Sequence, residues 1–75
     1  MWLIFMVNYN EKGQKLSVAN LYLVKDEAKV TSILREKAEE FSDGRYKINH
    51  NKDFTEITYD GGYHSHFCKE FVDIV

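Results

Sequence analysis

The sequence predicts an α+β domain, an antiparallel sheet of four or five strands with one main helix packed on one face. Three observations predict it. Apolar residues recur every second position through most of the chain and change to three- and four-residue spacing once, between Asp26 and Gly44. Turn-forming glycines at Gly13, Gly44 and Gly61–Gly62 divide the chain into four pieces. Aromatic residues make up 15% of the chain, more than disordered segments carry, so a folded core is expected.

Trp2 to Tyr9 is β-branched, aromatic or long apolar, and Asn10-Glu11-Lys12-Gly13 suits a tight reversal. Lys15 to Val24 then alternates, with Leu16, Val18, Asn20, Tyr22 and Val24 on one face and Ser17, Ala19, Leu21 and Leu23 on the other. A hairpin is the expected product. Asp26 reads as a helix N-cap with Glu27 in the first turn, where the macrodipole favours an anion. Val30, Ile33, Leu34, Ala38 and Phe41 form the apolar stripe, and Gly44 supplies a left-handed stop. Arg45 to Asn51 and Phe54 to Tyr59 read as a second hairpin about Asn51-Lys52-Asp53. Beyond Asp60-Gly61-Gly62 two patterns compete: Tyr63, Phe67, Phe71 and Ile74 fit a helix, whereas His64, His66, Cys68, Val72 and Ile74 fit one face of a strand. A strand from Tyr63 is favoured.

Seventy-five residues make one domain, 1–75, which buries only about 60% of the surface of its unfolded chain. Cys68 is the sole cysteine, so no intrachain disulfide reinforces that thin core. A lone thiol suits a reducing compartment, and a cytoplasmic location is expected. The apolar run Met1 to Val7 is too short to span a bilayer, lacks preceding basic residues and is not followed by a cleavage site, so it reads as a strand and no membrane partner is expected. The chain is expected to be a complete protein.

The first strand is apolar on both sides: Trp2, Ile4 and Met6 face one way, and Leu3, Phe5, Val7 and Tyr9 the other. One helix covers one face. Either the C-terminal segment, through Phe67, Phe71, Val72 and Ile74, folds back over the second face, or that face is an interface. In the second case Trp2, Tyr9, Tyr22 and Tyr46 are the candidate anchors, because rigid aromatics with polar tips dominate binding energetics. Glu36, Glu39, Glu40 and Asp43 gather where the helix dipole prefers cations. They are either a solvated end balanced by Arg35 and Lys37 or an acidic docking patch, with Glu36, Glu39 and Glu40 as its contacts.

His64-Ser65-His66-Phe67-Cys68 is the one chemically suggestive cluster. On a strand His64, His66 and Cys68 share a face and could ligate zinc, with His50 or an acid as a fourth group. The plain alternative is an ordinary half-buried strand face, and no other cofactor is indicated. A Cys68 nucleophile has no identifiable orienting residue or oxyanion donor, and so short a chain leaves little room for a pocket, so no catalytic residue is assigned and no enzyme is expected. Gly61-Gly62 lacks phosphate-loop spacing. Twelve acids against ten lysines and arginines disfavour nucleic acid, although Arg45, Lys47, His50 and Lys52 collect on the third strand.

Shortness, a single globular unit, an N-terminal hairpin followed by a helix, and abundant Tyr, Asn, Lys and Glu together give a chain that resembles the small early or accessory proteins of large tailed phages. Some of these inhibit host enzymes, antiphage toxins or nucleases. The resemblance implies a stoichiometric binder and transfers no residue roles. The expected function is therefore a small non-catalytic protein-binding module, an inhibitor or antitoxin-like factor that occupies a site on a larger protein, or one that forms homo-oligomers. The alternatives are a small His/Cys metal-binding protein and a nucleic-acid-binding protein.

Overall fold

Asn10 closes the first hairpin: its side-chain oxygen accepts from the backbone N–H groups of Lys12 and Gln14 at 3.0 and 2.9 Å, while Gly13 takes φ 78°. This turn joins β1 (Trp2–Tyr9) to β2 (Lys15–Val24) in the computed structural model, which describes residues 1–73. There follow α1 (Glu27–Ser42), β3 (Lys47–His50), β4 (Phe54–Thr58), a single 3-10 turn over Asp60–Gly62, and β5 (His64–Phe71). Element order and fold class are those expected from the sequence.

The five strands form one sheet in the order β2-β1-β5-β4-β3, with every neighbouring pair antiparallel. The C-terminal segment is thus the middle strand, and it does not fold back over the second face. It binds β1 on one side, from Trp2↔Phe71 to Tyr9↔His64, and β4 on the other, from Phe54↔Cys68 to Thr58↔His64. Sheet insertion wins over covering because it satisfies both rows of backbone hydrogen bonds along β5, and it also joins two hairpins that share no pairing of their own. Ile74, which the sequence places on either pattern, lies outside the described residues.

Asp26 caps α1 as expected, accepting from the Ala28 N–H at 3.0 Å. Val30, Leu34 and Ala38 are buried and meet Ile4, Met6, Val24, Ile57 and Phe67 from the sheet. Phe41, expected in that stripe, is 48% exposed and leans edge-on against Tyr59 and Phe67. The left-handed conformation starts one residue before the glycine: Asp43 has φ 52° and Gly44 φ 69°. Buried Ser42 donates to the Tyr46 carbonyl at 3.1 Å, which ties the helix end to the approach of β3.

The simple alternation expected of β2 fails. Register shifts fall between Ile4 and Phe5 and between Asn8 and Tyr9 on the β1 side, leaving Leu21 and Leu16 as extra residues in β2. Directly paired residues share a face. Val18 and Asn20 therefore join Val7 and Phe5 on the helix-free face, while Tyr22 and Val24 join Ile4 and Trp2 beneath the helix. A bulge inserts one residue and reverses the phase of every side chain beyond it.

Candidate functional site

The helix-free face of the sheet is covered by no element of the described residues. Half-buried Leu3 and Phe5 and buried Val7 from β1 run beside Val18 and Leu23 from β2, which are 52% and 49% exposed. Next to the bulge, Leu3, Leu21, Leu23, Asn20 and Tyr22 line a shallow groove of about 510 Å³. Half of this face is therefore an apolar surface with a hollow in it.

The other half is aromatic and titratable. The β4–β5 register sets Glu56 opposite His66, and the β1–β5 register sets Tyr9 opposite His64. His66 Nε2 lies 2.9 Å from Glu56 Oε2, with both side chains half-buried. Tyr9 stacks on His64 with ring centroids 5.0 Å apart and touches His66 at 4.8 Å, while Phe54 stacks on the far side of His66 at 4.6 Å. Donor atoms of Glu56, His64 and His66 all lie within 4.8 Å of one another.

Of the zinc-ligand set expected from the sequence, the structure brings together His64 and His66 but not Cys68. Positions four apart on a strand are separated by about 13 Å, which is too far for one ion to bridge His64 and Cys68. Cys68 faces Phe5 and Phe54 instead, and burial raises its thiol pKa, opposing the thiolate that ligation and nucleophilic attack both need. His50, the suggested fourth group, points to the helix side, where Nδ1 meets Thr55 Oγ1 and Nε2 meets Glu39 Oε1, each at 2.9 Å. Glu56 supplies the acid. Its contribution was readable, because the short Tyr59–Tyr63 connection fixes Thr58 against His64 and hence Glu56 against His66.

The expected anchors scatter. Tyr9 lies on the helix-free face, whereas Trp2, Tyr22 and Tyr46 belong to the helix side. Trp2 packs edge-on to Phe71 at 5.6 Å, Tyr22 lies under Lys37 at 5.2 Å, and Tyr46 packs against Tyr59 at 4.8 Å. Leu3 and Phe5, half-buried, and Leu23, 49% exposed, lie on the helix-free face and were not among the expected anchors. Of the three acids, Glu36 is exposed, Glu39 holds His50, and Glu40 forms an exposed pair with Lys37 at 3.5 Å.

The chain also has more concavity than its length suggests. Because α1 stops at Ser42, the sheet end beyond Met6 carries a cleft of about 510 Å³, lined among others by Asn8, Phe41, Arg45, Tyr46, Tyr59 and Tyr63. Its floor is polar: the Tyr59 hydroxyl donates to Ser65 Oγ, Ser65 donates to Asn8 Oδ1, and Asn8 Nδ2 donates to Ser17 Oγ. Among the described residues no helix is long and apolar enough to cross a membrane.

These features define an antiparallel α+β protein with one helix-covered and one open sheet face. No family model, curated protein or solved structure matches the chain.

Proposed function

We propose that this chain is a small non-catalytic protein-binding module that docks on a larger protein through the helix-free face of its sheet. It acts by occupancy, as an inhibitor or antitoxin-like factor does. The observation that supports this is the adjacency of Leu3, Phe5, Val18 and Leu23 on an uncovered face, beside the groove that the bulge at Leu21 opens. Burying an apolar side chain of this size contributes about 1.5–3 kcal/mol, so the half-exposed Val18 and Leu23 each retain about half of that gain for a partner. Tyr9 and Phe54 extend the surface with rigid rings already held against histidines, which lowers the entropy lost on docking.

The test compares the wild-type chain with Leu23→Lys and Val18→Lys by affinity capture from native host lysate, followed by light scattering of each purified form. A protein retained in fixed ratio by the wild type and lost by both variants supports docking on this face. A wild-type monomer whose captured proteins are unchanged by both substitutions would overturn it. Self-association abolished by the same substitutions would replace the larger partner with a second copy.

A further inference from the structure

We propose that Glu56, His64 and His66 form a binding site for one divalent transition-metal ion of the zinc class. The inference is independent of the docking role, since it concerns the isolated chain.

Two imidazoles and a carboxylate are a donor set suited to such ions. Three features of the site go beyond a simple ion pair. First, the three donors converge from two strands with fixed register, and their ligating atoms already lie within 4.8 Å of one another. A tetrahedral ion with bonds of about 2.0–2.2 Å needs donors about 3.4 Å apart, so side-chain rotation of about an ångström closes the site. The Glu56–His66 edge, at 2.9 Å, needs none of that contraction.

Second, both rings are clamped: Tyr9 lies against His64 and His66, and Phe54 against His66. Part of the side-chain ordering that ligation requires is thus in place before the ion arrives. Third, His64 Nδ1 faces the Gly62 carbonyl at 3.4 Å. Donation there places the proton on Nδ1 and leaves Nε2 with its lone pair free, the outer hydrogen bond that orients metal-ligating histidines. The ion would take the place of the His66–Glu56 hydrogen bond. Three protein donors leave a further position for water or for a group from a docked partner.

The experiment titrates zinc chloride into chelator-treated full-length protein, with stoichiometry read by native mass spectrometry and ligands by NMR of the histidine rings. One ion per chain is expected, with the His64 and His66 signals moving and His50 unmoved. Glu56→Gln, His64→Ala and His66→Ala should each weaken zinc at least tenfold, while His50→Gln and Cys68→Ser remain within twofold of wild type. Circular dichroism confirms that each variant is folded, and the near-isosteric Glu56→Gln preserves the readout if a histidine variant is not. Failure of the wild type to take up zinc at millimolar concentration would overturn the proposal. So would uptake insensitive to Glu56→Gln, or uptake abolished by His50→Gln or Cys68→Ser.

Discussion

The Tyr59 hydroxyl donates to Ser65 Oγ at 2.8 Å, and Ser65 has no exposed surface. Ser65 passes the interaction on to Asn8, so one small buried hydroxyl holds Asn8 on β1 and Tyr59 just beyond β4. Ser65→Ala leaves both without their buried contact and should cost about 1–3 kcal/mol, whereas Tyr59→Phe removes one bond and should cost about 0.5–1.5 kcal/mol. Urea unfolding of the two variants checks the order; equal losses would show that water replaces Ser65.

The same pair has a pH signature. Burial raises the Tyr59 phenol above its ordinary value, more strongly than the Ser65 hydrogen bond lowers it. A group with a raised folded pKa contributes stability that is fully present below its unfolded pKa and is lost as pH climbs through the folded one. Stability should therefore fall above about pH 10, and Tyr59→Phe should flatten that alkaline fall when urea midpoints are followed against pH.

Cys68 should react slowly. Desolvation raises its thiol pKa, so the thiolate fraction at neutral pH is smaller than in a free cysteine. Labelling with a disulfide reagent should lag behind a model thiol and accelerate to the model rate in denaturant. A native rate equal to the model rate would place Cys68 in a more solvated setting.

The end of α1 can be improved. Asp43 puts a negative charge at the helix C-terminus in a left-handed conformation, with Arg45 4.0 Å away and both side chains more than 70% exposed. Asp43→Asn keeps a residue type that tolerates φ above zero and removes the adverse charge, for a gain of about 0.3–1 kcal/mol. A raised thermal midpoint is the expected result.

The two sheet faces should respond oppositely to substitution. Phe67, 1% exposed under the helix, should cost about 3–5 kcal/mol on change to Ala, enough to unfold much of a domain this small. Leu23→Lys, on the helix-free face, should change stability by less than about 0.5 kcal/mol. Denaturant titration distinguishes them, and a large loss at Leu23 would mean that this surface is part of the core.

What the sequence showed and hid divides along physical lines. Local signals were readable: the Asp26 cap, the Val30–Leu34–Ala38 stripe and the turn at Asn10 all depend on neighbours a few residues away. The two-sided apolar character of β1 was readable too. What stayed hidden depended on pairing between distant segments. The slip at Leu21 reversed the faces of Tyr22 and Leu23, and the central place of β5 decided that Phe67 points under the helix. For the site, the period-two spacing correctly put His64 and His66 on one face. It could not measure reach along the strand, which removes Cys68, and it signalled Glu56 only indirectly, through the short turn that pairs β4 with β5.

The position of β5 also orders events in time. Until it has left the ribosome, the hairpin of β1 and β2 and the hairpin of β3 and β4 have no ladder between them, and β1 and β4 each present a bare edge. Assembly of the sheet must therefore await contacts between the two ends of the described chain, a slow, non-local closure. During synthesis the greasy stretch Leu3 to Val7 stays open to chaperones, or to strands of other chains, until the segment His64 to Phe71 arrives.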